Sequence, residues 1–236
     1  MLSSLKKDLR KYVNKEKALF YPRFFKSGKG EYAEGDWFIG VTVPLSRKVA
    51  KKYKDLSFED LNMLLQSPIH EERLVSLLIL IHKFNNVNQK EKEKLYNYYL
   101  SSTKYINNWD LVDLSADKIV GGYLLGKKDR LILVKLAKSK NLWERRIAVI
   151  ATFQFIKEKK EYRDTFTVSE ILLNDRHDLI HKAVGWMLRE VGKRVSKDKE
   201  EAYLKTRYKQ MPRTMLRYAI EHFPESRRKQ YLQGTV

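Results

Sequence analysis

The sequence has no cysteine, and it has only 5 prolines and 10 glycines in 236 residues. Without cysteine there is neither a disulfide framework nor thiolate chemistry, which is the pattern expected of a reducing cytoplasm. So few Pro and Gly residues leave no low-complexity linker between two halves. We therefore predict a cytoplasmic protein with a single domain over residues 1–236, with N-terminal helices and a glycine-containing loop in 1–60 and repeats over about 61–236.

Long apolar runs are also absent. The strongest, "LVSLLILI" from Leu74 to Ile81, is too short to cross a bilayer and is flanked by charge. The first twenty residues, "MLSSLKKDLRKYVNKEKALF", contain no apolar block followed by a cleavage site, so they favour a helix over a secretory signal. We expect no membrane partner.

Acidic residues are scarce relative to basic ones, with 48 Lys and Arg against 29 Asp and Glu and a net charge of +19. Such a surface attracts polyanions, of which nucleic acid is the commonest. A charge that serves only solubility is the alternative. A basic membrane-surface helix is disfavoured because the Lys and Arg residues are spread along the whole chain.

What the sequence does contain, from about residue 48 onward, is apolar residues recurring at the spacings of three and four that are typical of helices. Five similar segments place a polar residue before an apolar run at intervals of 35 to 37 residues: Arg73, Asp110, Arg146, Lys182 and Arg217. A helical period of this length predicts an all-α fold, an α-solenoid of paired-helix repeats. A helical bundle with segments of similar length is the alternative.

Stacked repeats would bring equivalent helices side by side on one concave surface. Counted from the register residues, four side chains fall within an arc of roughly 140° of that face: Trp109, Asp113, Arg146 and Trp186. Two indoles, one carboxylate and one guanidinium from three successive repeats are therefore predicted to meet there.

Local signals predict where two helices begin. Ser67 is predicted as an N-cap with Pro68 in the first turn, and Pro44 as part of another first turn, with Ser46 and Arg47 exposed. The glycines between residues 28 and 40 match neither the P-loop nor the dinucleotide pattern, so we interpret this stretch as a loop between helices.

Three further predictions concern individual side chains. His177 and His181 share a helix face, but no third ligand accompanies them, and we predict no metal and no cofactor. Trp143 precedes an apolar run and is predicted to lie in the core. Asp110 either caps a helix or pairs with a basic residue of a neighbouring repeat.

Several ordered motifs resemble the HEAT-like-repeat DNA alkylation-repair glycosylases of the AlkD type. The motifs are "FIGVTVPLSRKVAKKY", "NNWDLVD", "LWERRIAVIATFQF" and "HKAVGWMLREVGK", which is the most specific of them. The resemblance runs through most of the chain. It implies a stack of HEAT-like helical repeats and hydrolysis of the N-glycosidic bond of purines alkylated at N3 or N7, without full flipping of the base.

The resemblance also implies roles for individual residues. It assigns Trp109, Asp113 and Trp186 to catalysis and Arg146 to DNA contact, and it places phosphate contacts at the basic residues Arg47, Arg189 and Lys193. We include Lys182, the register residue of its repeat, among the predicted DNA contacts. The expected partner is duplex DNA with alkylated purines, bound by a monomer.

Two departures from the family pattern concern lesion preference. Asn108 stands where some members have a second tryptophan, and Phe24 lies near a position where some have tyrosine. Two other functions stay open at this point: a non-catalytic repeat module that binds DNA or RNA by shape and charge, and a scaffold for acidic proteins.

Overall fold

The computed structural model describes residues 1–236, and its regular elements are helices and helical turns. The only β pairing is one isolated bridge between Trp37 and Ile69. The chain forms two compact units, Met1–Ser115 and Ala116–Val236. The predicted all-α repeat fold is confirmed, whereas the single-domain organisation over 1–236 stays a prediction.

The first unit is organised around one long, almost fully buried helix. Its helices are α1 (Leu2–Arg10), α2 (Lys15–Phe24), α3 (Val43–Lys52), α4 (Phe58–Leu65), α5 (His70–Asn85), α6 (Gln89–Ser101), a 3₁₀ turn (Thr103–Tyr105) and α7 (Trp109–Ala116). Helix α5 packs against α3, α4 and α6. Its Leu, Val and Ile side chains are distributed around the helix and nearly all are buried, as expected of a central core helix.

The first twenty residues are largely helical, as predicted, but they belong to two helices, because the chain leaves the helical conformation between Arg10 and Lys15. Two other local predictions in this unit are wrong. Helix α5 begins at His70, and the Ser67 hydroxyl instead accepts the Ile69 amide at 3.1 Å. Ser46 is fully buried because it lies on the same face of α3 as the buried Val49 and Ala50.

Pro44 does lie in the first turn of α3, as predicted, and Arg47 is exposed. The fixed backbone of proline suits this position, where its missing N–H has no helical partner.

The second unit continues the alternation of helices. Its elements are a π turn (Asp117–Gly121), α8 (Gly122–Leu124), α9 (Leu131–Ala137), α10 (Leu142–Ala151), α11 (Phe153–Lys159), α12 (Arg163–Ile171), α13 (Asp178–Arg194), α14 (Lys197–Arg207), α15 (Arg213–Ala219) and α16 (Glu225–Gln233). Helix α10 packs against α9, α12 and α13, and α13 packs against α14 and α15. Trp143 is buried in α10, as predicted.

The five register residues all lie in the first five positions of a helix: Arg73 in α5, Asp110 in α7, Arg146 in α10, Lys182 in α13 and Arg217 in α15. The period read from the sequence is therefore the spacing between equivalent helices of successive repeats.

Close contact between α13 and α15 depends on one glycine. A Cβ atom added at Gly185 would lie 2.4 Å from the Met215 carbonyl oxygen and 2.5 Å from Cβ of Tyr218. No larger residue fits without moving one of the helices. The glycine of the "GW" pair is thus a packing residue, and Trp186 follows it on the neighbouring face.

None of the helices combines the length and the apolar character that a membrane span requires.

Candidate active site

In the first unit, an indole and a carboxylate share one side of α7 at the start of that helix. Trp109 and Asp113 are four residues apart, which puts them on the same stripe. Both side chains are partly exposed. The Asn108 carbonyl accepts the Val112 amide at 3.2 Å, and the Asn108 side-chain oxygen accepts the Trp109 amide at 2.8 Å. Asn108 rather than Asp110 therefore caps this helix.

Trp109 rests on other aromatic side chains from the N-terminal region. Its ring stacks on Phe25, with centroids 5.5 Å apart and planes at 21°, and meets the edge of Phe24 at 5.8 Å. Phe25 in turn stacks on Phe38 at 5.1 Å and 11°. We call Trp109, Phe24, Phe25 and Phe38 the aromatic cluster. It fixes the indole while leaving part of it open to solvent.

A buried ionic network lies beneath the aromatic cluster. The His70 ring lies 4.9 Å from both Phe25 and Phe38. Its Nε2 is 2.8 Å from Asp110 Oδ2, and its Nδ1 is 3.2 Å from Asp36 Oδ2. Of the two roles considered for Asp110, pairing with a basic residue of a neighbouring repeat is the one observed.

Asp36 has two further partners. The Arg73 guanidinium lies 2.6 Å from its Oδ2, and the Asn107 amide donates to its Oδ1 at 3.2 Å. Burial opposes the charged form of Asp36, but these partners and His70 outweigh it and lower the pKa of Asp36. The network therefore pairs two anions, Asp36 and Asp110, with His70 and Arg73.

The surroundings of His70 favour its charged form, because each ring nitrogen faces a carboxylate. Burial lowers the pKa of a histidine, but the charge and hydrogen bond of Asp110, with the hydrogen bond of Asp36, outweigh burial and raise the pKa of His70 to about 9. As an imidazolium, it donates through both nitrogens at once, one to each acid.

The end of the glycine-containing loop is held by Glu71. This buried carboxylate accepts backbone amides from Ile39, Gly40 and Val41 at 2.8 to 3.2 Å. Gly40 has φ +76°, and a Cβ there would lie 2.1 Å from the Asn14 carbonyl oxygen. The loop thus has a structural role, because it delivers Asp36 and Phe38 to the ionic network and the aromatic cluster.

Sequence reasoning missed these supporting residues: Phe25, Asp36, Phe38, His70 and Glu71. One signal was present, since "HEER" puts three charges and a histidine in front of the most apolar run of the chain. Charged groups in the first turn of a buried helix must find partners.

Trp186, the other indole predicted to be catalytic, lies in the second unit, on α13. Its Nε1 donates to Glu190 Oε1 at 3.3 Å, and its ring lies 5.8 Å from Phe153 at 49°. The Arg194 side chain donates to Glu190 at 2.6 Å and stacks over Phe153. Trp186 is partly exposed, and its indole is oriented by the hydrogen bond to Glu190 and by contact with the Phe153 ring.

Arg146, the predicted DNA contact, is 4% exposed. Its guanidinium donates to the Leu179 carbonyl in the first turn of α13. This contact joins α10 to the helix that carries Trp186. The position therefore suits a repeat-packing role, and direct DNA contact by Arg146 stays a prediction.

The other predicted DNA contacts fall into two groups. Arg47 and Lys193 are exposed and have no acidic partner. Arg189 pairs with Glu221, and Lys182 pairs with Asp178 at 2.7 Å. Unpaired exposed cations can take a phosphate without giving up an existing ion pair, so Arg47 and Lys193 are the stronger candidates.

The two histidines at the start of α13 make local hydrogen bonds. His177 Nδ1 accepts the Leu179 amide at 3.1 Å and caps the helix, while His181 Nε2 lies 2.5 Å from the Asp175 carbonyl oxygen.

Helices whose register residues recur every 35 to 37 residues, an indole and a carboxylate in the first two turns of α7 and a strongly basic composition together define an all-helical repeat protein of the nucleic-acid-binding type. The family model described as "DNA alkylation repair enzyme" matches residues 5–223. The chain belongs to this family, which supports an enzymatic role in DNA alkylation repair.

A solved structure agrees with the fold. A predicted DNA alkylation repair enzyme from Enterococcus faecalis superimposes with a TM-score of 0.68 at 20% sequence identity, covering 90% of this chain and 97% of that one. No curated protein matches the chain in sequence.

Proposed function

We propose that the protein is a DNA glycosylase that hydrolyses the N-glycosidic bond of cationic purines alkylated at N3 or N7 in duplex DNA. The observation that carries the proposal is the placement of Trp109 and Asp113 on one partly exposed stripe of α7. The aromatic cluster and the buried ionic network support this stripe from below. Membership of an alkylation-repair family supports the same substrate class.

The chemistry of these lesions suits such a site. Alkylation at N3 or N7 makes the purine cationic, so it leaves with the electron pair of the glycosidic bond as a neutral alkylated base. The deoxyribose is left as an oxocarbenium-like cation. Water then adds at the anomeric carbon and loses a proton, which gives an abasic site.

In this proposal, Asp113 stabilises the developing positive charge on the sugar and orients the attacking water. The indole faces of Trp109 and Trp186 favour cationic and polarised C–H groups, a contribution of about 0.5–2 kcal/mol on the cation–π scale. No second carboxylate is needed to protonate so good a leaving group, unlike the common glycosidase pair. Partial exposure of these side chains suits contact with the deoxyribose of an unflipped nucleotide.

The test is release of 7-methylguanine from a duplex that carries N7-methylguanine. We expect the parent protein to release the free base. Asp113→Asn keeps the shape and removes the charge, so the rate should fall by about 10- to 1000-fold, or about 1.4–4 kcal/mol of transition-state stabilisation. Duplex affinity should stay level or rise.

Asp55→Asn is the matched control, because Asp55 is an exposed aspartate of the same unit without an ion pair. It should keep the parental rate. A parent that binds duplex DNA but releases no base would support a non-catalytic binding module instead. Full activity of Asp113→Asn would remove Asp113 from the mechanism.

A further inference from the structure

We propose that His70 is a positioning residue for the active site, an imidazolium clamp that holds the start of α7 and, through Phe25, the indole of Trp109. The inference rests on the proposed function of Trp109 and Asp113. His70 itself lies beneath the aromatic cluster, with its ring against Phe25 and Phe38.

The His70 ring makes contacts both along its edge and across its faces. Along its edge, the two N–H groups tie Asp110 of α7 to Asp36 of the loop, at 2.8 and 3.2 Å. Across its faces, the ring packs at 4.9 Å against Phe25 and Phe38. Phe25 then stacks under Trp109.

Asp110 is well placed to transmit this constraint. It directly follows Trp109 and precedes Asp113 by three residues, so all three belong to the first two turns of α7. Asp110 is 7% exposed, and its inward bond to His70 fixes the rotation of the helix about its axis. That rotation decides where the stripe with Trp109 and Asp113 points.

The protonated state is essential to the clamp. A neutral imidazole has one N–H and could donate to only one of the two acids. The charged groups that face His70 are Asp36 from the loop, Asp110 from α7, and Glu71 and Arg73 from its own helix α5. Asp36 and Asp110 contact the ring nitrogens directly, so loss of the His70 proton leaves these two buried carboxylates with Arg73 as their one remaining cation.

The first test separates positioning from binding. His70→Gln keeps a polar side chain but cannot bridge both acids as a cation. We expect the single-turnover rate of 7-methylguanine release to fall about 10-fold or more, since a small misplacement of a catalytic group is costly. Duplex affinity should stay within about twofold, because Arg47 and Lys193 are unaffected. His82→Gln, a partly exposed histidine at the other end of α5, should match the parent.

A single and a double variant separate a loss of stability from a loss of positioning. His70→Gln leaves Asp110 buried without its cation, and so lowers the melting temperature. Adding Asp110→Asn removes that charge and should recover much of the melting temperature, but not the rate. If the double variant regains the parental rate along with the stability, His70 acts through folding alone and the proposal is wrong.

Two spectroscopic measurements do not depend on activity. In ¹⁵N-histidine NMR of the parent at pH 7, both ring nitrogens of His70 should be protonated, and they should titrate above neutral pH. With 5-fluorotryptophan, one of the four ¹⁹F resonances belongs to Trp109 and can be assigned with Trp109→Phe. His70→Gln should shift it, while the resonances of Trp143 and Trp186 stay in place.

These measurements distinguish failure of the glycosylase proposal from failure of the proposed role of His70. If the parent releases no base, the glycosylase function fails, while the NMR results still decide whether His70 holds Trp109. A neutral His70 at pH 7, or an unmoved Trp109 resonance in His70→Gln, would overturn the clamp even if the parent is active.

Discussion

Phe25 lies almost parallel beneath Trp109, with ring centroids 5.5 Å apart and planes at 21°. Phe25 is 8% exposed, whereas Phe24, which meets Trp109 by its edge, is 49% exposed. One neighbour therefore supports the face of the indole from the core, and the other flanks it from the surface. The difference leads to the first prediction.

Phe25→Leu should reduce the rate of 7-methylguanine release more than Phe24→Leu does. An aromatic pair contributes about 0.5–1.5 kcal/mol beyond buried area, which corresponds to a rate loss of about 2- to 10-fold if all of it serves to place the indole. Single-turnover kinetics of both variants measure this. Equal rates in the two variants, with only the melting temperature of Phe25→Leu lowered, would make the stack a packing feature.

Local geometry explains why part of this site could be predicted from sequence. Trp109 and Asp113 are four residues apart, and on any helix that spacing places them on one side. The repeat period was readable for the same reason, because each register residue precedes its own apolar run.

The support of the site depends on contacts between distant segments. Asp36 is 34 residues from His70, and His70 is 40 residues from Asp110. No periodic pattern specifies such pairs. The burial of Ser46 could not be predicted for the same reason. Its neighbours in sequence are basic, and it is buried only because α3 packs with that face toward the core.

Duplex affinity should depend on exposed, unpaired cations. Arg47→Ala and Lys193→Ala should each weaken binding at moderate salt and reduce the slope of log K against log salt by about 0.9, the value of one phosphate contact. Binding titrations at four salt concentrations measure this. Lys182→Ala is the comparison, because its ion pair with Asp178 offsets its charge. An unchanged slope in both exposed variants would show that DNA binds elsewhere.

Arg146→Ala should affect stability more than the salt slope. The side chain is 4% exposed and donates to a carbonyl at the start of α13, so its loss leaves a buried acceptor unsatisfied at a cost of about 1–3 kcal/mol. Urea unfolding together with the salt titration measures both effects. A slope reduced by one phosphate with unchanged stability would instead establish direct DNA contact.

Uncharged lesions should be poor substrates. The proposed mechanism supplies a carboxylate for the sugar but no acid for the leaving group, so a neutral base such as hypoxanthine or uracil would have to leave as an anion. We expect release of these bases to be at the level of the Asp113→Asn variant. Chromatography of the free base after incubation measures this release. Efficient release of an uncharged base would mean that the protein has a general acid for the leaving group.

Glu200 should make the protein less stable as the pH rises. Its side chain is fully buried against Gly192, with His222 Nε2 3.3 Å away. Burial, and next the charge of Glu201, raise the pKa of Glu200 to about 9. The unfolded carboxyl ionises near pH 4.5, so the folded state binds an extra proton between pH 4.5 and about 9. Stability is lost across that window.

Glu200→Gln has the same shape and no proton to lose. Relative to the parent, its free energy of unfolding should be unchanged near pH 4.5 and should rise by about 1.4 kcal/mol per pH unit up to pH 9. Urea unfolding at pH 5, 7 and 9 measures the difference. Glu158→Gln, an exposed glutamate of α11, should show no such trend. Because His70 titrates in both proteins, its own contribution cancels in the comparison. A difference between Glu200→Gln and the parent that does not change with pH would mean that Glu200 is already ionised in the folded protein, with the basic groups around it, Arg189 and Lys197, sufficient to hold its charge.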